Sequence, residues 1–334
     1  IQLHTAPDSL ERLRPEWDRL LAESDSDLFF SGSAWQILWW RHFGRDYLPR
    51  IVTFRDCCGR MVGIAPLMTS RADPDRTLLF IGGTEVADYL DLIVDAARAE
   101  EARCALIEAI QSHLPWRTLD LHCLPASSGT PAALDAVFAS RTAAVQYEQE
   151  DVTPFVSLHG SWDGYLGGLS KKDRHELRRK LRRAVDDLHA EWRTVQSAAD
   201  LDPTLDAFIA LHRLSSAAKA EFMTDQMAAY FRDLAALTLD QGTLRMGILW
   251  VGDVPVAGAM GFAYGDRLYL YNSGYDPAYA AHSVGIAAVG LLLRQAADEG
   301  LAIFDFLQGN ETYKYMLGAQ DAPVLRAIVT REST

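Results

Sequence analysis

Three polar side chains near the end of the chain could take part in proton transfer. Asp305 lies at the end of an apolar run, where a carboxylate needs a partner or a function. Tyr313 and Lys314 follow on a polar segment that contains Gly309, and loops at strand ends often carry functional residues. A carboxylate can accept a proton, and a phenol or an ammonium group can donate one. Structural roles are equally open, because Asp305 could bond the amides of a turn and Lys314 could be solvated.

A second candidate site lies where a loop ending at His282 runs into a helical pattern. Ser283, Val284 and Gly285 begin that pattern, and Ile286 continues it. Small residues let the backbone approach a ligand, and the free N–H groups and positive dipole end of a helix suit phosphate. Ser283 could instead only cap the helix. The pattern therefore predicts a cofactor-binding loop without excluding a purely structural helix start.

The charge of the chain is strongly uneven. The 334 residues carry a net charge of −13, yet the thirteen residues 171–183 hold eight basic and two acidic side chains. That segment has a net charge of +6 within a remainder of −19. The run could be a solvated helix face, or it could bind nucleotide phosphates, anionic lipid or RNA. The candidate anion-binding residues are Lys171, Lys172, Arg174, Arg178, Arg179 and Arg182.

Hydrophobic periodicity predicts the elements that position these residues. The first half predicts helices beginning near Ser9 and Ser33, at 96–110 and after Pro131, with strands at 50–55, 61–69, 77–81, 118–121 and 143–147. The second half predicts strands at 155–158, 244–251, 254–264, 268–271, 303–306 and 324–330, with helices at 161–188, 205–214, 226–239 and 283–298.

The two halves form a weak internal repeat. Residues 62–67, 78–83 and 116–121 match residues 256–261, 268–274 and 301–306 in the same order, which indicates two copies of one mixed α/β unit. We expect domains at 1–152 and 153–334. In the first copy the equivalent helix start carries Asp95, Glu100 and Glu101 and no glycine. Carboxylates there would repel phosphate, so we expect the cofactor site in the second copy alone.

Composition limits the class of protein. The length suggests about two domains, and 49% hydrophobic with 23% charged residues is typical of a globular chain. No run reaches the ~18 apolar residues of a membrane span, and the first residues do not resemble a signal peptide. The cysteines lack metal-ligand spacing, so we expect a reduced, cytoplasmic protein without structural zinc. They are Cys57, Cys58, Cys104 and Cys123.

The ordered set of motifs resembles the GNAT-type acyltransferases of the cellulose-biosynthesis (CelD-like) group, which are related to the FemABX-type peptidyl transferases. The similarity spans nearly the whole chain. Its second-half pieces are Pro154-Phe155-Val156-Ser157-Leu158, Leu169-Ser170-Lys171-Lys172-Asp173-Arg174, Leu211-His212-Arg213, Gly274-Tyr275-Asp276-Pro277, Ser283-Val284-Gly285 and Asp305-Phe306-Leu307 with Gly309, Tyr313 and Lys314. Its first-half pieces are Ser33-Ala34-Trp35, Gly63-Ile64-Ala65-Pro66-Leu67 and Asp88-Tyr89-Leu90-Asp91.

The resemblance implies tandem GNAT-like α/β folds, each a mixed, mostly antiparallel sheet flanked by helices, with the active site in the second. It implies an acyl-CoA donor, an amine acceptor and no metal. The usual phosphate loop is altered here, because Ser283 replaces its first glycine and its initial polar residue is absent. FemABX relatives take their acyl group from aminoacyl-tRNA, which keeps tRNA open as an alternative donor.

The resemblance also implies roles for individual residues. Two parallel strands, 268–273 and 303–307, would splay around the donor, with a backbone N–H near Asn272 or Ser273 facing the thioester oxygen. Tyr313 would protonate the leaving thiolate, since a phenol pKa of ~10 matches that task, and Lys314 would stabilise negative charge. Candidates to accept the amine proton are Asp305 and Glu311, with His212 as the alternative base. The candidate substrate-binding residues are Tyr271, Tyr275 and Asp276.

The function expected is an acyl-CoA-dependent N-acyltransferase acting on an amine of a sugar, a lipid precursor or a surface-polymer building block. An aminoacyl-tRNA-dependent Fem-like transferase and a non-catalytic binding protein are the alternatives. The basic segment could also hold the protein at the inner membrane surface. Extended nucleic acid is disfavoured by the acidic remainder of the chain.

Overall fold

The computed structural model describes residues 1–139 and 143–331. The chain divides into two compact units, one formed by Ile1–Val152 with Ala322–Thr334 and the other by Thr153–Asp321. Each is described by itself below.

The first unit combines helices with short strands. Its helices are α1 (Ser9–Ala22), α2 (Ser33–Phe43), α3 (Ala99–His113) and α4 (Thr130–Phe138). Its strands are β1 (Gln2–His4), β2 (Tyr47–Pro49), β3 (Ile51–Arg55), β4 (Met61–Ala65), β5 (Leu67–Ser70), β6 (Thr77–Phe80), β7 (Ile93–Val94) and β8 (Thr118–Pro125). β9 (Ala143–Ser157) continues into the second unit.

Strand pairing in the first unit is mostly antiparallel. One set runs in the order β1-β3-β4-β7. The other brings the last strand of the chain, β15 (Gln320–Arg331), next to β8, followed by β6, β5 and β2. The pair β6–β8 is parallel, with Thr77 opposite Thr118 and Leu78 opposite Leu119.

The second unit repeats this plan around a longer sheet. Its strands are β10 (Ala190–Thr194), β11 (Leu244–Val251), β12 (Val254–Tyr264), β13 (Arg267–Tyr275) and β14 (Ile303–Asp305), with residues 155–157 of β9 at the side of β14. Its helices are α5 (Trp162–Gly168), α6 (Lys171–Arg182), α7 (Ala198–Ser215), α8 (Ala217–Phe222), α9 (Asp225–Asp240), α10 (Val284–Asp298) and α11 (Thr312–Met316). Pairing is antiparallel except for β13–β14.

The core of the second unit lies between α10 and one face of this sheet. Leu268 and Leu270 of β13 pack in one cluster with Val284 and Leu292 of α10 and with Leu177, the fully buried leucine of α6. Burying each such leucine stabilises the fold by about 2–3 kcal/mol. The helices α6 and α10 are therefore fixed to the sheet by the apolar stripes that the sequence shows.

The predicted fold class is confirmed, because each unit is a mixed α/β structure with mostly antiparallel strands. The predicted second domain, 153–334, differs from the compact units at its end. The segment from Ala322 groups with the first unit because β15 pairs with β8, and residues 332–334 lie outside the described residues.

One predicted helix is in fact two. The stretch 161–188 breaks at Leu169, which is extended, and Ser170 then caps α6 by accepting a hydrogen bond from the amide of Asp173 at 3.1 Å. Every helix within residues 1–139 and 143–331 is too short or too polar to span a bilayer.

Candidate active site

The two parallel strands of the second unit part after three residue pairs. Arg267, Leu268 and Tyr269 lie opposite Ile303, Phe304 and Asp305. Beyond that point β14 ends, while β13 continues to Tyr275. The paired part of these two strands is therefore short, and the predicted opening between them stays a prediction.

A β-bulge in β13 changes which of its side chains face each side of the sheet. Met260 lies opposite Asn272 but Gly261 lies opposite Leu270, so Tyr271 is the extra residue. Leu270 faces the core with α10, whereas the Tyr271 ring packs on Phe231 and Phe262 with centroid distances of 5.3 and 5.0 Å. A bulge shifts the alternation of side chains.

The start of α10 forms the far wall of the site. Ser283 is left-handed, with φ 58° and ψ 32°, and its carbonyl accepts the first helical hydrogen bond from Ala287. The amides of Val284, Gly285 and Ile286 precede that bond and have no acceptor within the helix. A Cβ on Gly285 would lie 3.0 Å from the Tyr275 ring, so only glycine lets this ring lie against the helix start.

These elements enclose a cavity of about 490 Å³ in the second unit. The predicted residues that line it are Ser273, Tyr275, Ser283, Val284, Gly285, Ile286, Glu311 and Tyr313. Four further residues line the cavity without having been predicted, namely Lys180, Lys219, Ala280 and Val289. The geometry therefore joins the predicted loop and the predicted acid–base segment in one cavity.

Two lysines bring positive charge to the cavity. Lys180 of α6 donates a hydrogen bond to the Ser283 hydroxyl at 3.2 Å and lies 3.3 Å from Glu176. Lys219 of α8 donates to the Ser273 carbonyl. Burial lowers the pKa of Lys219, and the nearby negative charge of Glu311 acts in the opposite direction. Lys180 belongs to the basic run, so its charge was visible in the sequence, but nothing in the sequence indicated Lys219.

Tyr313 is held as a neutral phenol. Burial, and then the charge of Glu311, raise the pKa of Tyr313 above its usual range. Its ring packs edge-on against Phe306 with a centroid distance of 6.3 Å. Glu311 is 58% exposed and lies 2.9 Å from the Lys314 ammonium. Tyr313 can therefore donate a proton at neutral pH, and the exposed Glu311 side chain lies at the cavity edge.

Lys314 has a different position from the predicted one. Its side chain is only 2% exposed, and its ammonium donates to the carbonyls of Leu307, Gln308 and Gly309 at 3.1, 2.8 and 2.9 Å. With Glu311 it has four oxygen neighbours. It therefore organises the 307–309 loop and does not line the cavity, which corrects the predicted role in stabilising negative charge.

Asp305 is likewise structural. Its carboxylate is fully buried, pairs with Arg267 at 2.8 Å and accepts a hydrogen bond from the Leu307 amide at 2.9 Å. These partners explain a carboxylate at the end of an apolar strand. The predicted role of Asp305 as a proton acceptor is wrong, because its oxygens face Arg267 and a backbone amide instead of the cavity.

His212 of α7 supports β13 and does not line the cavity. It is 1% exposed, and its Nε2 lies 2.9 Å from the Asn272 Oδ1. Burial, followed by the charge of Lys219, lowers the pKa of His212 to about 4. A Cβ on Gly274 would lie 2.5 Å from the His212 nitrogen, so this glycine lets α7 approach the strand. His212 is a positioning residue and not the predicted alternative base.

The Asn272 oxygen also accepts a hydrogen bond from the Ser273 amide at 3.1 Å. That N–H is therefore occupied, which corrects its predicted role at the thioester oxygen. Asn272, Tyr271, Asp276 and His282 do not line the cavity, although they lie on elements that build it. The Asp276 carboxylate accepts from the Ala278 amide at 2.9 Å and so closes the turn before α10.

The predicted anion patch lies on α6 as expected. Arg179 and Lys180 pair with Glu176, and Arg174 donates to the Leu166 carbonyl at 3.3 Å. In the part of the chain that the structure describes, six cations of this segment have no carboxylate partner, namely Lys171, Lys172, Arg174, Arg178, Arg182 and Arg183. Across those same residues, no cluster of histidine, cysteine and carboxylate side chains is arranged to hold a metal ion.

Comparison with protein families identifies a domain in the second unit. Residues 171–315 match a family model described as acetyltransferase (GNAT) domain. This segment contains every residue that lines the cavity. A comparison with curated protein sequences finds no match.

Comparison with solved structures shows a shared fold. FemX is 11% identical with a TM-score of 0.68, and the match covers 98% of this chain and 97% of FemX. The C-terminal domain of a proposed lysylphosphatidylglycerol synthetase from Agrobacterium fabrum is 10% identical with a TM-score of 0.61, covering 96% and 92%. A tandem GNAT protein from the clavulanic acid biosynthesis pathway is 12% identical with a TM-score of 0.53, covering 100% and 99%.

Proposed function

We propose that this chain, whose residues 171–315 match an acetyltransferase (GNAT) domain model, transfers an acyl group from a CoA thioester to an amine. The observation that carries the proposal is that the start of α10, the end of β13 and the segment with Glu311 and Tyr313 line one cavity of about 490 Å³. A CoA thioester has an anionic phosphate part and a reactive thioester part, and this cavity offers a helix start for the first and acid–base side chains for the second.

The phosphates of the donor fit the α10 end of the cavity. The amides of Val284, Gly285 and Ile286 precede the first helical hydrogen bond, and helix N-termini attract anions. Lys180 adds a full positive charge beside Ser283. Gly285 leaves the helix start open because it carries no side chain. Together these groups supply the phosphate recognition that the altered loop sequence left uncertain.

The chemical step needs three roles, and the cavity offers a residue for each. As the C–N bond forms and the C–S bond breaks, the amine loses a proton and the sulfur gains one. Tyr313 protonates the sulfur, since its phenol is neutral at physiological pH. Glu311 accepts the amine proton directly or through water, because its exposed side chain is the carboxyl group that lines the cavity.

Lys219 stabilises the negative charge that develops on the carbonyl oxygen. Its ammonium has three donors, and one of them is used by the Ser273 carbonyl. The remaining donors lie at the cavity wall next to β13. A charged donor in a partly buried site is an effective form of such stabilisation. We propose a small or lipid-like amine as the acceptor, because an amine nucleophile needs a base to remove its proton and an acid to protonate the leaving sulfur.

A second donor class is favoured by one observation. The unpaired cations of α6 form an exposed basic face in an otherwise acidic chain, and such a face suits a phosphate backbone. An aminoacyl-tRNA would place many phosphates near that face, whereas CoA needs only the α10 end of the cavity. This donor is therefore the alternative that the experiment must separate.

A thiol-release assay tests the proposal. The purified protein is mixed with acetyl-, octanoyl- or palmitoyl-CoA and with glucosamine, ethanolamine, sphinganine or a lysine peptide, and the N-acyl product is measured by mass spectrometry. We expect amine-dependent thiol release with at least one pair. Transfer from aminoacyl-tRNA without any thiol release would support the second donor. Absence of product with both donor classes would indicate a binding protein instead of an enzyme.

A further inference from the structure

The first unit contains its own pair of parallel strands that part. β6 and β8 are paired at Leu78 and Leu119, after which β6 ends at Phe80 while β8 continues to Pro125. In both units one strand of the parallel pair continues past the other, namely β8 here and β13 in the second unit. The internal repeat therefore predicts a cavity beside these strands as well.

Such a cavity is present, but its chemistry differs from that of the cavity at the start of α10. It has a volume of about 160 Å³ and lies beside the end of β6 and the middle of β8, where Asp120 and His122 line it. Three aromatic side chains, Trp39, Tyr47 and Phe80, line it. The rings of Trp39 and Tyr47 are 5.9 Å apart and tilted by 50°. No amide of a helix start lines this cavity in the described residues, so it lacks the phosphate-binding feature of the second unit.

The charged lining residues leave one carboxylate available to a ligand. Arg326 binds both oxygens of Asp120 at 2.8 Å, and His122 lies between Asp120 and Glu150 at 3.2 and 2.6 Å. The cations of this network are thus already paired with carboxylates. Glu85 is different, because within the described residues its carboxylate accepts a hydrogen bond from the Trp39 indole at 3.2 Å and has no cationic partner.

The position of Glu85 against the aromatic wall is fixed by the backbone. Gly83 has φ +77°, and a Cβ there would lie 2.0 Å from the Trp39 indole nitrogen and 2.8 Å from a Glu85 oxygen. Any other residue at position 83 would displace both groups. The carboxylate and the ring are therefore held side by side at the cavity wall.

We propose that this cavity binds a small organic ammonium ion, with Glu85 as its counter-ion and Trp39, Tyr47 and Phe80 as its aromatic walls. Aromatic faces attract cations, with energies of about 0.5–2 kcal/mol per ring that depend on desolvation. The lining holds two carboxylates, Glu85 and Asp120, and one cation, His122, which is paired with Asp120 and Glu150, so the cavity favours a cation over an anion. The volume suits an amine with only a few carbon atoms. This site is separate from the cavity at the start of α10, so the proposal does not depend on the identity of the acyl donor.

A pair of probes that differ only in charge tests the site. Choline and its neutral analogue 3,3-dimethyl-1-butanol are titrated into ¹⁵N-labelled full-length protein, and the indole N–H signal of Trp39 is followed by NMR. The signal is assigned by its absence in the Trp39→Phe variant. We expect choline, and n-propylammonium in a second titration, to shift this signal at concentrations where the neutral analogue and acetate do not.

Two variants make the result specific. Glu85→Gln is expected to weaken choline binding by about fivefold, the effect of losing one partly exposed ion pair. Glu101→Gln, an exposed carboxylate on α3 outside the cavity, is expected to leave the affinity unchanged. Equal shifts with choline and its neutral analogue, stronger binding of acetate, or equal affinities in the two variants would each overturn the proposal.

Discussion

Tyr313 and Lys314 are adjacent in sequence, but their surroundings give them opposite roles. The Tyr313 phenol lines the cavity and has a pKa above its usual range because of burial and the charge of Glu311. The Lys314 ammonium is bonded to three backbone carbonyls and to Glu311. A group that is saturated by fixed partners cannot respond to a substrate, whereas the phenol can. The proton donor in the proposed reaction is therefore Tyr313.

The variant Tyr313→Phe tests that role. It removes the proton donor and keeps the ring against Phe306, so donor affinity should be nearly unchanged while kcat falls by roughly 100-fold or more. Steady-state kinetics and donor titration measure the two quantities separately. A variant with wild-type kcat would exclude Tyr313 from the reaction, and a variant with lower donor affinity alone would make it a binding residue.

The sequence identified the residue types at this site better than it identified their roles. Asp305 and Lys314 were predicted to act chemically because they are polar residues at a strand end, but the ion pair with Arg267 and the three carbonyl bonds exist only in the folded chain. Lys219 was missed because its partner, the Ser273 carbonyl, lies 54 residues away. Such partners cannot be inferred from local spacing.

At the scale of elements, the 307–309 loop depends on a single side chain. Leu307 has φ 58° and Gly309 has φ 107°, so the loop contains two residues in the left-handed region. The Lys314 side chain of α11 is only 2% exposed, and its ammonium donates hydrogen bonds to the carbonyls of this loop. This contact fixes α11, and with it Tyr313, relative to the end of β14.

Replacement of Lys314 by Met should therefore destabilise the protein by roughly 2–4 kcal/mol, because one buried and two partly buried carbonyls would lose their charged donor. Urea denaturation measures the free energy of unfolding. The matched control Lys172→Met removes an exposed cation of α6 and should change stability by less than about 0.5 kcal/mol. Equal stabilities in the two variants would mean that the loop does not need Lys314.

The elements themselves followed closely from hydrophobic patterns, while irregularities within them did not. The strands at 244–251 and 254–264 have the predicted bounds. The bulge at Tyr271 depends on how β12 pairs with β13, which the sequence of β13 alone does not reveal. The break between α5 and α6 did have a signal, since Ser170 and Asp173 form a helix start, but the longer helical pattern obscured it.

At the scale of the molecule, each unit contains a short parallel strand pair, and the cavities lined by β13 in one unit and by β6 and β8 in the other differ in chemistry. The first unit also uses residues far apart in sequence, because Arg326 of β15 binds Asp120 of β8. His122 is placed between Asp120 and Glu150, and these contacts raise its pKa to about 9 despite burial. Asp120 is correspondingly held ionised, since Arg326 and His122 outweigh the effect of burial and lower its pKa.

This network makes stability depend on pH. The folded-state pKa of His122 is above its unfolded value, so its contribution is complete below about pH 6.5 and is lost as the pH rises through about 9. The loss should be on the order of 2 kcal/mol, because the pKa of His122 rises from 6.5 to about 9 on folding while its ring stays partly exposed to solvent. The charges facing His122 are Asp120, Glu150 and, through Asp120, Arg326.

Urea denaturation between pH 6 and 10 measures this effect as the difference between the wild type and the His122→Asn variant. We expect that difference to shrink as the pH rises, because the variant has no imidazolium to lose. A difference that stays constant with pH would show that His122 does not titrate with the predicted linkage.

The central claim is that the cavity at the start of α10 binds a CoA donor, and calorimetric titration of CoA and acetyl-CoA tests it most directly. The wild type should bind one equivalent, and Lys180→Gln should weaken binding by about tenfold in a salt-dependent way, because a charged hydrogen-bond donor beside Ser283 is removed. Arg178→Gln, an exposed cation on α6 that does not line the cavity, should bind like the wild type. Absence of binding to both ligands, or equal affinities in the two variants, would contradict the account.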